Sequence, residues 1–101
     1  MCSSDLPDVA RTLGSYMRDV VLDGTGRSVK TVPVPIAGKT GTAEVTGAPS
    51  HSWFIGFAPY GAATHRVAVA VILENAGYGG AGAAPAAGEI VAAAAALGLA
   101  K

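Results

Sequence analysis

The run Val67-Ala68-Val69-Ala70-Val71-Ile72-Leu73 contains no polar residue. Its wealth of β-branched side chains predicts a strand. Strand alternation then sends Val67, Val69, Val71 and Leu73 to one face and Ala68, Ala70 and Ile72 to the other. Both faces are apolar, the pattern of a strand covered on two sides within a larger sheet. The chain around it has 101 residues, 50% of them hydrophobic and only 14% charged, where a soluble domain usually carries roughly 25% charged residues. Folding a chain this short buries only about two thirds of its unfolded surface. Most residues of a self-sufficient domain of this size must therefore tolerate water, and this composition is unsuited to that. The sequence is expected to be part of something larger, with more protein lying beside the apolar strand.

The other elements follow from periodicity and punctuation. Asp5 and Pro7 read as a helix start, and Val9, Leu13, Met17, Val20 and Val21 then recur at helical spacing on one face until Gly24, which predicts a helix over 7–22. Asp23-Gly24-Thr25-Gly26 is turn material, and the prolines between Ser28 and Pro35 predict an extended connection. Strands are expected at Ile36 to Val45, Ser52 to Ala58 and Arg66 to Leu73, the first two joined by a turn at Thr46-Gly47-Ala48-Pro49. Loops this short favour antiparallel pairing, because parallel strands need a crossover of about a dozen residues or more. A flexible glycine-rich connection, Gly77 to Gly82, leads to an Ala-rich helix from Ala84 to Leu97. The expected fold class is α+β: a three-stranded antiparallel sheet with N- and C-terminal helices, its last strand open at one edge unless a strand from elsewhere covers it. Cys2-Ser3-Ser4-Asp5-Leu6 is a peptide that read-through of a common sequencing adapter can encode, so residues 1–6 are expected to be non-native and 1–101 to form a partial domain.

Several function classes are excluded by charge and composition. Seven basic and seven acidic residues give a formal charge of zero, far from the basic stripe a nucleic-acid binder needs. One cysteine permits neither an internal disulfide nor a cysteine-built zinc site. No charged n-region followed by an apolar h-region opens the chain. Pro85, Gly88, Glu89 and Gly98 interrupt the Ala-rich tail, which falls short of the about 20 apolar residues of a membrane span. No membrane contact is expected of this segment. His51 and His65 with Glu44 and Glu74 show no metal-ligand spacing, and neither a metal nor a cofactor is expected.

Chemistry concentrates in Lys39-Thr40-Gly41-Thr42. Gly41 lacks a Cβ and lets another backbone approach closely. Thr40 and Thr42 share a strand face, so two hydroxyls can grip one carboxylate while Lys39 supplies positive charge nearby. On a sheet edge such a strand can also pair with an extended peptide. Other motif matches fail on context. Gly38-Lys39-Thr40 ends like a phosphate-binding loop, but Pro33 stands where that motif requires glycine and a strand follows instead of a helix. Gly77-x-Gly79-x-x-Gly82 spells a dinucleotide fingerprint, but no second strand with a ribose-binding acid follows it. Ser50-His51-Ser52 places both serines one step from the histidine, hence on the opposite face of a strand. Trp53, Phe54 and Phe57 read as packing residues, whereas Tyr60 and Tyr78 sit in loops that can border a groove.

Lys-Thr-Gly is among the signatures of penicillin-binding proteins and class A β-lactamases. It stands here with Gly24-Thr25-Gly26 before it, and with Thr42-Ala43-Glu44, Trp53-Phe54-Ile55-Gly56-Phe57-Ala58-Pro59 and Gly79-Gly80-Ala81-Gly82-Ala83-Ala84-Pro85 after it. In order and spacing these segments resemble the C-terminal part of a class B penicillin-binding transpeptidase domain, over nearly everything from Val9 to Leu97. The resemblance implies an incomplete β-lactamase/transpeptidase-like fold. It also implies peptidoglycan cross-linking, in which a serine attacks the penultimate D-Ala carbonyl of a stem peptide, D-Ala leaves, and an amine from a neighbouring peptide resolves the acyl-enzyme. Lys39 would then bond the serine of the family's second motif and keep the site electropositive. Thr40 and Thr42 would hold the substrate or β-lactam carboxylate, with Gly41 between them, and the Thr42 backbone N–H would be one of two oxyanion donors. The implied partners are D-Ala-D-Ala stem peptides, β-lactams and the N-terminal part of the same domain; the implied location is the cell envelope, at the extracytoplasmic face of the cytoplasmic membrane.

The chain departs from the family pattern at its centre. No Ser-x-x-Lys occurs, and the single asparagine, Asn75, has Leu73 and not serine two residues before it. The nucleophile is expected outside this chain, which alone should be inactive. Two other readings remain open from sequence: a non-catalytic module gripping peptide carboxyl termini, and a fragment of a serine β-lactamase or D,D-carboxypeptidase.

Overall fold

The chain is described by a computed structural model over residues 6–101. Cys2, Asp5 and most of the adapter-like stretch 1–6 lie outside the described residues. Five elements carry the fold: helix α1, Leu6–Asp23; strands β1, Ala37–Val45, β2, Ala48–Ala58, and β3, Val67–Leu73; and helix α2, Ala83–Ala96. Antiparallel pairing runs in the order β1-β2-β3, so the expected α+β architecture is the one observed.

Glycines end both helices. The N–H groups of Gly24 and Gly26 both reach the Val20 carbonyl and stop α1. After α2, Gly98 at φ +77 gives its N–H to Ala95 while Leu99 gives its own to Ala94, which satisfies two of the last orphan carbonyls. The connection from Ser28 is not extended as its prolines suggested. Arg27–Val29 forms a 3-10 turn, closed by Val29 N–H to Gly26 O and Lys30 N–H to Arg27 O, because it carries Val29 into the core.

The first hairpin is tighter than expected. Val45 pairs with Ala48 across Thr46-Gly47, with Gly47 at φ +75, a left-handed conformation that glycine adopts without steric cost. β2 therefore begins at Ala48 and includes Pro49. The register shifts between Ala43 and Val45, so Pro49 sits beside a bulge, where its missing N–H removes no ladder bond.

One sheet face holds the core. Phe54 is fully buried there with Ala58, half-covered Val69 and Val71, the α2 residues Ala83, Ala84, Ala87 and Val91, and Val21, Val29 and Ile36. Small residues let α2 come close: a Cβ on Gly88 would lie 2.8 Å from Val29 Cγ1. α1 meets the opposite face, where a Cβ on Gly14 would stand 3.4 Å from the Phe57 ring. The buried residues of α1 are Gly14 and Val21; of the expected stripe Val9, Leu13, Met17, Val20 and Val21, the last is fully buried and Met17 and Val20 are half-buried. Val9 and Leu13 are 59% and 55% exposed, because the helix approaches the sheet through its smallest residue.

β3 has no buried residue. Trp53, Ile55 and Ile72 are exposed on the α1 side of the sheet, and no charged residue lies within β3 itself. An unprotected apolar edge is a template for pairing with other chains. The chain purified alone is therefore expected to self-associate and to melt broadly; a monomeric sedimentation profile with a sharp thermal transition would show that β3 needs no partner.

Candidate active-site strand

Ladder geometry decides what β1 offers to a ligand. In an antiparallel pair, opposed residues alternate between exchanging both hydrogen bonds and pointing both backbone groups away. A Cβ on Gly56 would lie 2.7 Å from Ala37 O, and one on Gly38 would lie 2.8 Å from Ile55 O. Ala37 and Ile55 therefore aim their carbonyls across the β1–β2 seam, which makes Ala37↔Phe57, Lys39↔Ile55 and Gly41↔Trp53 the bonded pairs. Gly38, Thr40 and Thr42 are the alternate set. Their N–H and C=O groups point off the outer edge of β1, which pairs with no strand among the described residues. Two side chains confirm the parity: Arg18 donates to Ile36 O at 2.7 Å and Lys39 Nζ to Thr40 O at 2.6 Å, both carbonyls of that outer set.

The hydroxyls lie on the core face and are held from beneath. Thr40 is 6% exposed, and its Oγ1 lies 2.5 Å from Thr25 Oγ1. Exposed Thr42 accepts the Gly79 N–H on its Oγ1 at 3.1 Å, which leaves its proton free to donate. Gly79 can sit there only because it is glycine: a Cβ would come 2.4 Å from Gly41 O and 2.9 Å from Trp53 O. The glycine-rich segment is thus a packed support for β1, not the flexible connection its composition suggested. It is tied down further by Gly77 N–H to Ser50 O and Ser28 Oγ to Gly80 O.

Lys39 projects from the other face and is exposed; its ammonium curls to the Thr40 carbonyl and has two further protons for a ligand or a neighbouring group. Lys39, Thr40 and Thr42 are therefore gathered along one open edge. Tyr78 borders a cleft of about 300 Å³ with Thr25, Arg27 and Gly80. Tyr60 lines a separate cleft with Gly14 and Phe57, away from β1's hydroxyls. His51 accepts the Asn75 N–H on Nδ1, while Ser52 Oγ accepts the Ala83 N–H and bonds the Tyr78 carbonyl. The histidine and serine thus pin different turns. No group of three metal-ligating side chains occurs among the described residues, and no described helix is long and apolar enough to cross a membrane. Sequence reasoning gave Thr25 and Gly79 no role of their own; their signal was the recurrence of cramped glycines on both sides of the motif.

The family described as the penicillin-binding protein transpeptidase domain matches residues 7–92. The chain belongs to that family. The peptidoglycan D,D-transpeptidase MrdA of Acinetobacter baumannii is 40% identical over an aligned stretch that covers 63% of this chain and 12% of the relative. Solved transpeptidase-family structures agree. The D,D-transpeptidase domain of a peptidoglycan glycosyltransferase from Eggerthella lenta superposes with a TM-score of 0.74 at 35% identity, over 91% of this chain and 21% of that one. Pseudomonas aeruginosa PBP2, in complex with WCK 5153, gives 0.65 at 39% identity, over 83% and 18%. Penicillin-binding protein A of M. tuberculosis, as an imipenem acyl-enzyme, gives 0.61 at 39% identity, over 86% and 19%. The transpeptidase fold seen here thus spans about a fifth or less of each of these relatives.

Proposed function

We propose that this chain is the substrate-recognition segment of a peptidoglycan D,D-transpeptidase whose reactive serine lies on another segment of the same protein. The observation that carries the reading is the outer edge of β1, where Thr40 and Thr42 direct backbone N–H and C=O groups outward beside two hydroxyls and the Lys39 ammonium. A stem peptide ending in D-Ala-D-Ala adds to this edge as an extended strand, a mode in which main-chain bonds supply affinity. Its terminal carboxylate meets the Thr40 and Thr42 hydroxyls, and the Lys39 charge holds the surrounding field positive.

The serine oxygen attacks the penultimate D-Ala carbonyl carbon, and negative charge develops on the carbonyl oxygen. The Thr42 N–H, already directed off the sheet, donates to that oxygen without reorganising, which is what an oxyanion donor must do. Collapse of the adduct breaks the amide bond; the departing D-Ala nitrogen takes a proton, and an acceptor amine later displaces the serine ester. A β-lactam follows the first half of this course, and the acyl-enzyme formed with imipenem by the M. tuberculosis relative supports the same for the complete protein. The matched relatives act in peptidoglycan synthesis, which supports a location in the cell envelope.

Lys39→Ala in the complete protein is expected to slow acylation by a fluorescent penicillin about 10- to 100-fold, since hydrogen bonds to charged groups are worth roughly 1.5–3 kcal/mol. Rates read from time-resolved gel labelling test this. An unchanged rate would remove Lys39 from the reaction and with it the proposed role of β1.

A further inference from the structure

We propose that Thr25 is a positioning residue for carboxylate recognition, acting through Thr40; the inference rests on the role given above to β1. Thr25 belongs to the turn that ends α1, fixed by two N–H bonds onto Val20 O. From the other side it is wedged by the glycine-rich loop, where a Cβ on Gly80 would come 2.5 Å from the Thr25 carbonyl. Its hydroxyl is thereby held 2.5 Å from that of Thr40.

A hydroxyl has one proton and two lone pairs. Were Thr40 to give its proton to Thr25, it would present only lone pairs to an anion. With Thr25 as donor, the order becomes Thr25 O–H to Thr40 O, and Thr40 O–H to carboxylate. Each bond in such a chain polarises the next, and the last is charge-assisted. Thr25 is solvent-exposed, so its own lone pairs stay hydrated while it donates. Thr40, only 6% exposed, has far less recourse to water. The same contact fixes the Thr40 side chain before the ligand arrives, which lowers the ordering cost of binding.

The test compares a penicillin with its methyl ester in the complete protein. Thr25→Val is expected to lower the second-order acylation constant for the free acid about ten-fold while leaving the ester within about two-fold, and Thr25→Ser to restore the acid's rate. Equal losses on acid and ester would mark Thr25 as merely structural and overturn the proposal, as would no loss on either. Thr40→Val separates this from the underlying reading. If it abolishes discrimination between acid and ester while Thr25→Val keeps it, the role of Thr25 alone fails. If Thr40→Val retains the preference, Thr42 alone receives the carboxylate and the roles of Thr40 and Thr25 both fail; if wild type does not discriminate, carboxylate recognition on β1 fails as well.

Discussion

Thr42→Pro in the complete protein should acylate about 10²–10³-fold more slowly than Thr42→Val, the usual consequence of deleting one oxyanion donor. Both substitutions remove the hydroxyl that accepts the Gly79 N–H, so their difference isolates the backbone N–H. Proline is tolerated on a sheet edge where the N–H it lacks faces outward, and the ladder parity of β1 places Thr42 at such a position. Thermal unfolding of the two variants checks that both remain folded. Equal acylation rates would mean that the Thr42 N–H does not meet the developing negative charge, and the orientation of substrate on β1 would have to be reversed.

Much of this was legible in the residues themselves. The two apolar faces of Val67 to Leu73 pointed to a strand of a larger sheet; among the described residues β3 is an edge strand, half-covered at Val69 and Val71 and without a fully buried residue. Lys39-Thr40-Gly41-Thr42 could be placed on a strand from composition alone. Which of those residues turn their backbone groups outward could not be read, because parity depends on the register set by a bulge and a two-residue turn. The α1 stripe holds at Val21 and fails at Val9 and Leu13, because periodicity counts large apolar side chains and at that end the contact is made by Gly14. Glycine likewise hid the support beneath the motif. Gly79 and Gly80 look like slack in the sequence, yet each occupies a place where a Cβ would strike backbone. Thr25 was noticed only as part of Gly24-Thr25-Gly26, since a pairing of hydroxyls 15 residues apart leaves no local trace.

The chain alone should form no covalent adduct with a β-lactam. A serine becomes nucleophilic when an adjacent base takes its proton, and none in this chain stands three residues before a lysine. Two of them have other work: Ser28 donates to Gly80 O, and Ser52 is fully buried between Tyr78 and Ala83. Lys39 bonds the Thr40 carbonyl. On the proposed reading, what remains is half of an acyl-transfer site, expected to receive a carboxylate and an oxyanion but not to open a β-lactam ring.

Labelling with a fluorescent penicillin, read on a denaturing gel, tests this most directly. The complete protein is expected to give a labelled band, and the 101-residue chain none at its 9.9 kDa position. A labelled band from the chain alone would contradict the assignment of the nucleophile to another segment.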